Sequence, residues 1–201
     1  GTEAEMIALR KVVASQYPNI EGIKPLKEEA ARFAKLFLDI EVEPGHCVPT
    51  VGSMMGGMAS FMVVNRSDHS RTGTLFLDPG FPVQKQQCLV LGHEFGTFDL
   101  YDFRGEKLRE KLETEITAGN YSSMLYSNPN NPSWICLTEE ELKIIGEMSE
   151  KHDILRILGW ISGGIFLNRG RPLSNQRLPN IPLISFFLYP VQKHSVMLVS
   201  A

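Results

Sequence analysis

Between Thr74 and His152 the chain alternates short apolar runs with charged amphipathic ones, and that alternation leaves few folds open to it. Thr74 to Asp78 reads as a buried strand and Gln84 to Leu91 as a helix. Thr97 to Phe103 reads as a half-buried strand, Glu106 to Ala118 as a charged surface helix, Tyr121 to Tyr126 as a strand and Glu139 to His152 as a helix. Strands joined through helices pair in parallel, so the expected class is α/β: three layers, α/β/α, around a mainly parallel sheet. Loops at the carboxyl ends of such strands converge on one crevice.

Upstream, Met6 to Val13 carries a helical stripe ended by Tyr17-Pro18-Asn19, and Pro25 to Ile40 a second amphipathic helix. Val42 to Pro49 reads as a connector. Residues 1–45 thus form an N-terminal helical part, 46–153 the sheet-forming part and 154–201 an atypical tail. The 201 residues, 43% hydrophobic, suffice for one good core. A net charge of −3 gives no reason to expect nucleic acid or an anionic membrane as partner. Cys47, Cys88 and Cys136 are widely spaced and odd in number, which suits reduced thiols in a cytoplasmic protein. The five histidines show no metal-ligand spacing, so no metal site is expected. Residues 1–20 are charged and amphipathic, unlike a signal peptide, and no apolar run reaches membrane-spanning length.

Three stretches carry chemistry. Gly52, Ser53 and Met54 open an apolar helix, where free N–H groups and the Ser53 hydroxyl form a ready anion site. Glycine-rich helix starts also serve plain close packing. Phe81 follows the strand ending at Asp78, on a turn where open α/β sheets place ligands. Ser127-Asn128-Pro129-Asn130-Asn131-Pro132-Ser133 is a proline-stiffened polar loop at the end of another strand, suited to orienting a flat polar ligand. Thr138 and Glu141 then spell a capping box for the following helix.

Taken together, Asp78-Pro79-Gly80-Phe81-Pro82-Val83-Gln84-Lys85-Gln86-Gln87, Tyr101-Asp102-Phe103-Arg104-Gly105-Glu106-Lys107-Leu108 and Tyr126-Ser127-Asn128-Pro129-Asn130-Asn131-Pro132 resemble the class I/II, fold type I aminotransferases. The likeness covers residue 2 to about 153. It implies pyridoxal 5'-phosphate as cofactor, an amino acid and a 2-oxo acid as substrates, and a homodimer in the full-length family. By position, it implies that Gly52, Ser53 and Met54 hold the cofactor phosphate. It implies that Phe81 stacks on the pyridine and that Asn131 bonds the pyridoxal 3-oxygen.

The resemblance also implies parts that are not readable here: a segment before Gly1, an aspartate for the pyridine nitrogen, a lysine that anchors the cofactor covalently, and a late arginine for the substrate carboxylate. Lys193 stands near the expected place in Val191-Gln192-Lys193-His194-Ser195, outside the family's motif. All 23 acidic residues lie at or before Asp153. Residues 1–153 therefore carry a net −8 and the last 48 residues a net +5. Permitted codons for Phe186 to Ala201, read from the third base of the first, spell Leu-Ser-Val-Ser-Ser-Ser-Lys-Ala-Phe-Ser-Tyr-Ala-Gly-Gln-Arg, the family's lysine motif. The tail is thus expected to be an out-of-frame translation, and the chain an inactive aminotransferase fragment that binds cofactor weakly or not at all. The alternative is a non-catalytic cofactor-binding or interaction module on the same fold.

Overall fold

The computed structural model describes residues 2–11, 16–38, 41–67, 70–160, 166–167, 171–172, 186–191 and 194–200. Helices α1 (Thr2–Arg10) and α2 (Lys24–Phe33) come first, α2 running into a wider turn at Ala34–Leu38. Then follow β1 (Cys47–Thr50), α3 (Gly52–Ser67), β2 (Gly73–Asp78), α4 (Pro82–Val90), β3 (Phe95–Asp99), α5 (Lys107–Ala118), β4 (Tyr121–Ser127), α6 (Glu139–Lys151) and β5 (Leu155–Trp160). The tail contributes a short pair, β6 (Phe166–Leu167) and β7 (Arg171–Pro172), and two longer strands, β8 (Phe186–Val191) and β9 (His194–Ser200).

Seven strands form one sheet in the order β1-β9-β8-β5-β4-β2-β3. The pairs β1–β9, β2–β3, β2–β4 and β4–β5 are parallel, whereas β8 is antiparallel to both neighbours. β8 alone therefore runs against the rest, and the expected mainly parallel α/β/α arrangement holds.

The period-two pattern of the central strands divides the core into two layers. On one face Leu75, Leu77, Met124 and Tyr126 pack against Leu108, Leu112 and Ile116 of α5 and Ile144, Ile145 and Met148 of α6. On the other, Phe76, Leu125 and Ile157 meet Phe61 and Val64 of α3 and Cys88 of α4. The i, i+4, i+8 spacing on α5 is what puts one apolar stripe against the sheet.

Two readings of the sequence are corrected. Val42 to Pro49 is not simply a connector, because Cys47–Thr50 is a strand paired with β9. Pro49 disguises it, and its missing N–H is tolerated because β1 is an edge strand. Thr97 to Phe103 is not one strand: β3 ends at Asp99, whose carboxylate accepts the Tyr101 N–H at 2.9 Å and starts a tight helical turn over Leu100–Phe103. The expected helical residues Val12, Val13, Asp39 and Ile40, and the apolar stretch from Ile181 to Ser185, lie outside the described residues.

Candidate functional site

The connections leaving β2 and β4 diverge. From β2 the chain crosses through α4 to β3, at the sheet edge. From β4 it crosses through α6 to β5, on the opposite side. A crevice opens beyond the carboxyl ends of adjacent strands where the winding reverses in this way. Phe81 follows β2 and the asparagine loop follows β4, so the topology alone sets two of the three expected pieces side by side. Because β1 runs in the same direction, its carboxyl end, and with it the start of α3, lies at the same edge of the sheet.

Hydrogen bonds knit these pieces together. The Asn130 side-chain amide donates to the Pro79 carbonyl at 2.5 Å, tying the asparagine loop to the Phe81 turn. The Gln87 amide of α4 donates to the Met54 carbonyl at 2.8 Å, tying the same turn's helix to the start of α3. Neither link was evident from the sequence, because each joins residues more than thirty positions apart.

At the start of α3, Gly52 takes a φ of +74°, and a Cβ there would meet nothing within 4 Å. The glycine serves the left-handed turn rather than close packing. The Val51 N–H turns towards the Met55 sulfur at 3.4 Å, and the Thr50 hydroxyl donates to the Gly52 carbonyl at 3.1 Å. Among the described residues the half-buried Ser53 hydroxyl has no hydrogen-bond partner. Helix geometry also leaves the first N–H groups unspent. Phe81 caps α4 in extended conformation with 40% of its surface exposed.

The loop's three asparagines do different work. Asn128 accepts the Leu137 N–H at 2.9 Å. Asn130, only 4% exposed, accepts from the Ser133 N–H and hydroxyl at 3.3 and 2.9 Å while donating to Pro79. The Asn131 carboxamide, half-buried, has no partner among the described residues. It lines a small hollow with Pro129, Asn130 and Trp134. The spacing of the prolines pointed to a rigid loop without showing which carboxamide has neither end engaged.

A second set of residues, whose contacts the sequence did not show, braces this loop from the segment after β3. Glu141, with 2% of its side chain exposed, accepts Arg104 Nε at 2.6 Å and Arg104 Nη2 at 2.7 Å. It also accepts the Gly105 and Thr138 N–H groups, both at 2.9 Å. The Arg104 bonds, with the Thr138 and Gly105 N–H groups behind them, hold its carboxyl down at about 2 against the opposing effect of burial. Arg104 Nη2 also reaches the Cys136 carbonyl at 3.1 Å, and the Tyr101 and Ser133 hydroxyls bond each other. The capping box at Thr138 and Glu141 was legible; its union with Arg104 was not. At the end of β2, Asp78 is drawn to Lys85 and Thr97, leaving its other oxygen buried and unpartnered among the described residues.

Known proteins resemble this chain as follows. A family model described as aminotransferase class I and II matches residues 2–158. An asparagine–oxo-acid transaminase of Streptococcus mutans is 28% identical over 190 residues, an alignment taking in 88% of this chain and 45% of that protein. An aminotransferase from Mycobacterium tuberculosis superposes with a TM-score of 0.64 at 22% identity, over 85% of this chain and 42% of that one. Thermus thermophilus aspartate aminotransferase with maleate gives a TM-score of 0.65 at 20% identity, over 80% of this chain and 41% of that one. The chain therefore spans less than half the length of each of these relatives.

Proposed function

The chain belongs to the class I and II aminotransferase family, and from that premise we propose that it carries part of a pyridoxal 5'-phosphate site. The observation that carries the reading is Asn131: among the described residues it is the one asparagine of the three with neither carboxamide atom engaged, and its neighbour Asn130 is tied to the Phe81 turn through Pro79. The donor set fits the group. The Ser53 hydroxyl and the first N–H groups of α3, opened by Gly52 and continued by Met54, suit a phosphate dianion at a helix start. The partly exposed Phe81 suits stacking under a flat heterocycle. The Asn131 amide suits a phenolate-type ring oxygen. When bound, the cofactor supplies an electron sink for bond changes at the substrate's amino-bearing carbon.

The activity of the whole family protein would be amino-group transfer between an amino acid and a 2-oxo acid. In this chain the protein's part ends at binding and orientation. The family match ends at residue 158, close to the charge break at Asp153, and both support an out-of-frame tail, although the alignment to the streptococcal relative runs further. Lys193, the lysine nearest the expected anchor, lies outside the described residues. We therefore assign no catalytic residue.

The test has three parts. Titration with pyridoxal 5'-phosphate should show weak binding that Asn131→Ala and Phe81→Ala abolish, and equal binding by all three proteins would overturn the site. Transaminase assays on the purified chain should show no turnover, and any turnover sensitive to Asn131→Ala would overturn inactivity. The nucleotide sequence across codons 150 to 201 should spell the family's lysine motif in another frame, and its absence from every frame would make the tail genuine.

Leu9, Tyr17, Ile20 and Val51 are all more than 70% exposed, which supports association of two copies. Concentration-dependent sedimentation would detect it. Three free thiols, two of them buried, support a reducing, cytoplasmic setting. No helix among the described residues is long and apolar enough to cross a membrane.

A further inference from the structure

Glu141 does more than a capping box requires. Such a box needs its glutamate to accept one backbone N–H at the start of its own helix, here that of Thr138. The same buried carboxylate also takes both arms of the Arg104 guanidinium and the Gly105 N–H, from a segment on a different connection of the sheet. The remaining Arg104 hydrogen bond is to the Cys136 carbonyl, in the segment that joins the asparagine loop to α6. Tyr101, one turn before Arg104, meets Ser133, which in turn donates to the carboxamide of Asn130. Every one of these bonds ends in or beside the loop that carries Asn131, and none reaches Asn131 itself.

From this arrangement we propose that Tyr101, Arg104 and Glu141 are positioning residues that aim the Asn131 carboxamide at a ring oxygen of a planar, phosphate-bearing ligand. The inference rests on the cofactor reading above and adds to it the residues that hold the donor still. The mechanism is preorganisation. The end of the loop and the segment after it, from Ser133 to Thr138, are fastened to the residues that follow β3 on the neighbouring connection. Asn130 is fastened to Pro79. Asn131 lies between these two anchors, so its amide pays little ordering entropy when a ligand oxygen arrives.

The experiment compares pyridoxal 5'-phosphate with its 3-deoxy analogue on the full 201-residue chain. Binding is followed through Trp134 fluorescence, since Trp134 lines the hollow beside Asn131. Wild type should prefer the ligand with the oxygen about ten-fold, the effect of one charge-assisted hydrogen bond. Asn131→Ala should bring the ratio to about one. Arg104→Lys keeps the charge but loses the two-armed contact, and Tyr101→Phe keeps the ring; each should lower the ratio to about two. If Arg104→Lys does not fold, Tyr101→Phe carries the test alone. A purely structural role would weaken both ligands equally and leave the ratio at its wild-type value, which overturns the positioning inference while the site stands. A wild type that binds neither ligand, or both alike, overturns the site and the inference together.

Discussion

Replacing Glu141 by glutamine tests the clamp as a source of stability. The carboxyl's pKa falls from an ordinary 4.5 to about 2 on folding. At 1.36 kcal/mol per unit that depression corresponds to about 3 kcal/mol of stabilisation. The structure agrees with the size. Four N–H groups converge on the two oxygens, at 2.6 to 2.9 Å, with 2% of the side chain exposed. Glutamine offers one accepting oxygen, and its own N–H groups would face donors that need acceptors. Glu141→Gln is therefore expected to lower the unfolding free energy by about 3 kcal/mol at neutral pH, read from urea midpoints with unchanged slope. The folded-state pKa lies below the unfolded one. The stabilisation is thus fully present above pH 4.5 and is lost as the pH falls towards 2. The gap between wild type and variant should close over that window, with other acid-labile groups cancelling in the difference. A cost below about 1 kcal/mol, or a gap that does not change between neutral pH and pH 2, would refute the account.

Three further predictions follow from the packing. A Cβ on Gly96 would lie 1.9 Å from the Tyr121 hydroxyl, so Gly96→Ala should cost about 3 kcal/mol by chemical denaturation, and most of that cost should vanish in a Tyr121→Ala background. Phe61 is fully buried, with its ring 5.9 Å from that of Phe76. Phe61→Ala should cost about 4 kcal/mol, and a loss under 1 kcal/mol would mean that this layer is not packed as described. A disulfide reagent should titrate one thiol quickly in the folded chain, that of exposed Cys136, and three after denaturation. Burial excludes Cys47 and pushes the Cys88 thiol up to about 11, so rapid native labelling of either would contradict the core.

What the sequence determined by itself was local. Period-two alternation in Leu75-Phe76-Leu77, the four-residue spacing of Leu108, Leu112 and Ile116, and the Thr138–Glu141 box each express a rule that operates within a turn or two of chain. These were enough for the class of fold, for the order of its central elements and for the three stretches that gather at one end of the sheet. Pro49 misled for the same reason: as a local signal proline argues against a strand, and only the edge position of β1 makes it harmless. The reversed direction of β8, the union of Arg104 with Glu141 across 37 positions and the tie from Asn130 to Pro79 were decided by tertiary structure. Which of three asparagines has neither carboxamide atom engaged among the described residues was settled there too. Asn128, Asn130 and Asn131 are chemically identical, and only the positions of Leu137, Ser133 and Pro79 in space determine that the Asn128 oxygen and both ends of the Asn130 carboxamide are engaged.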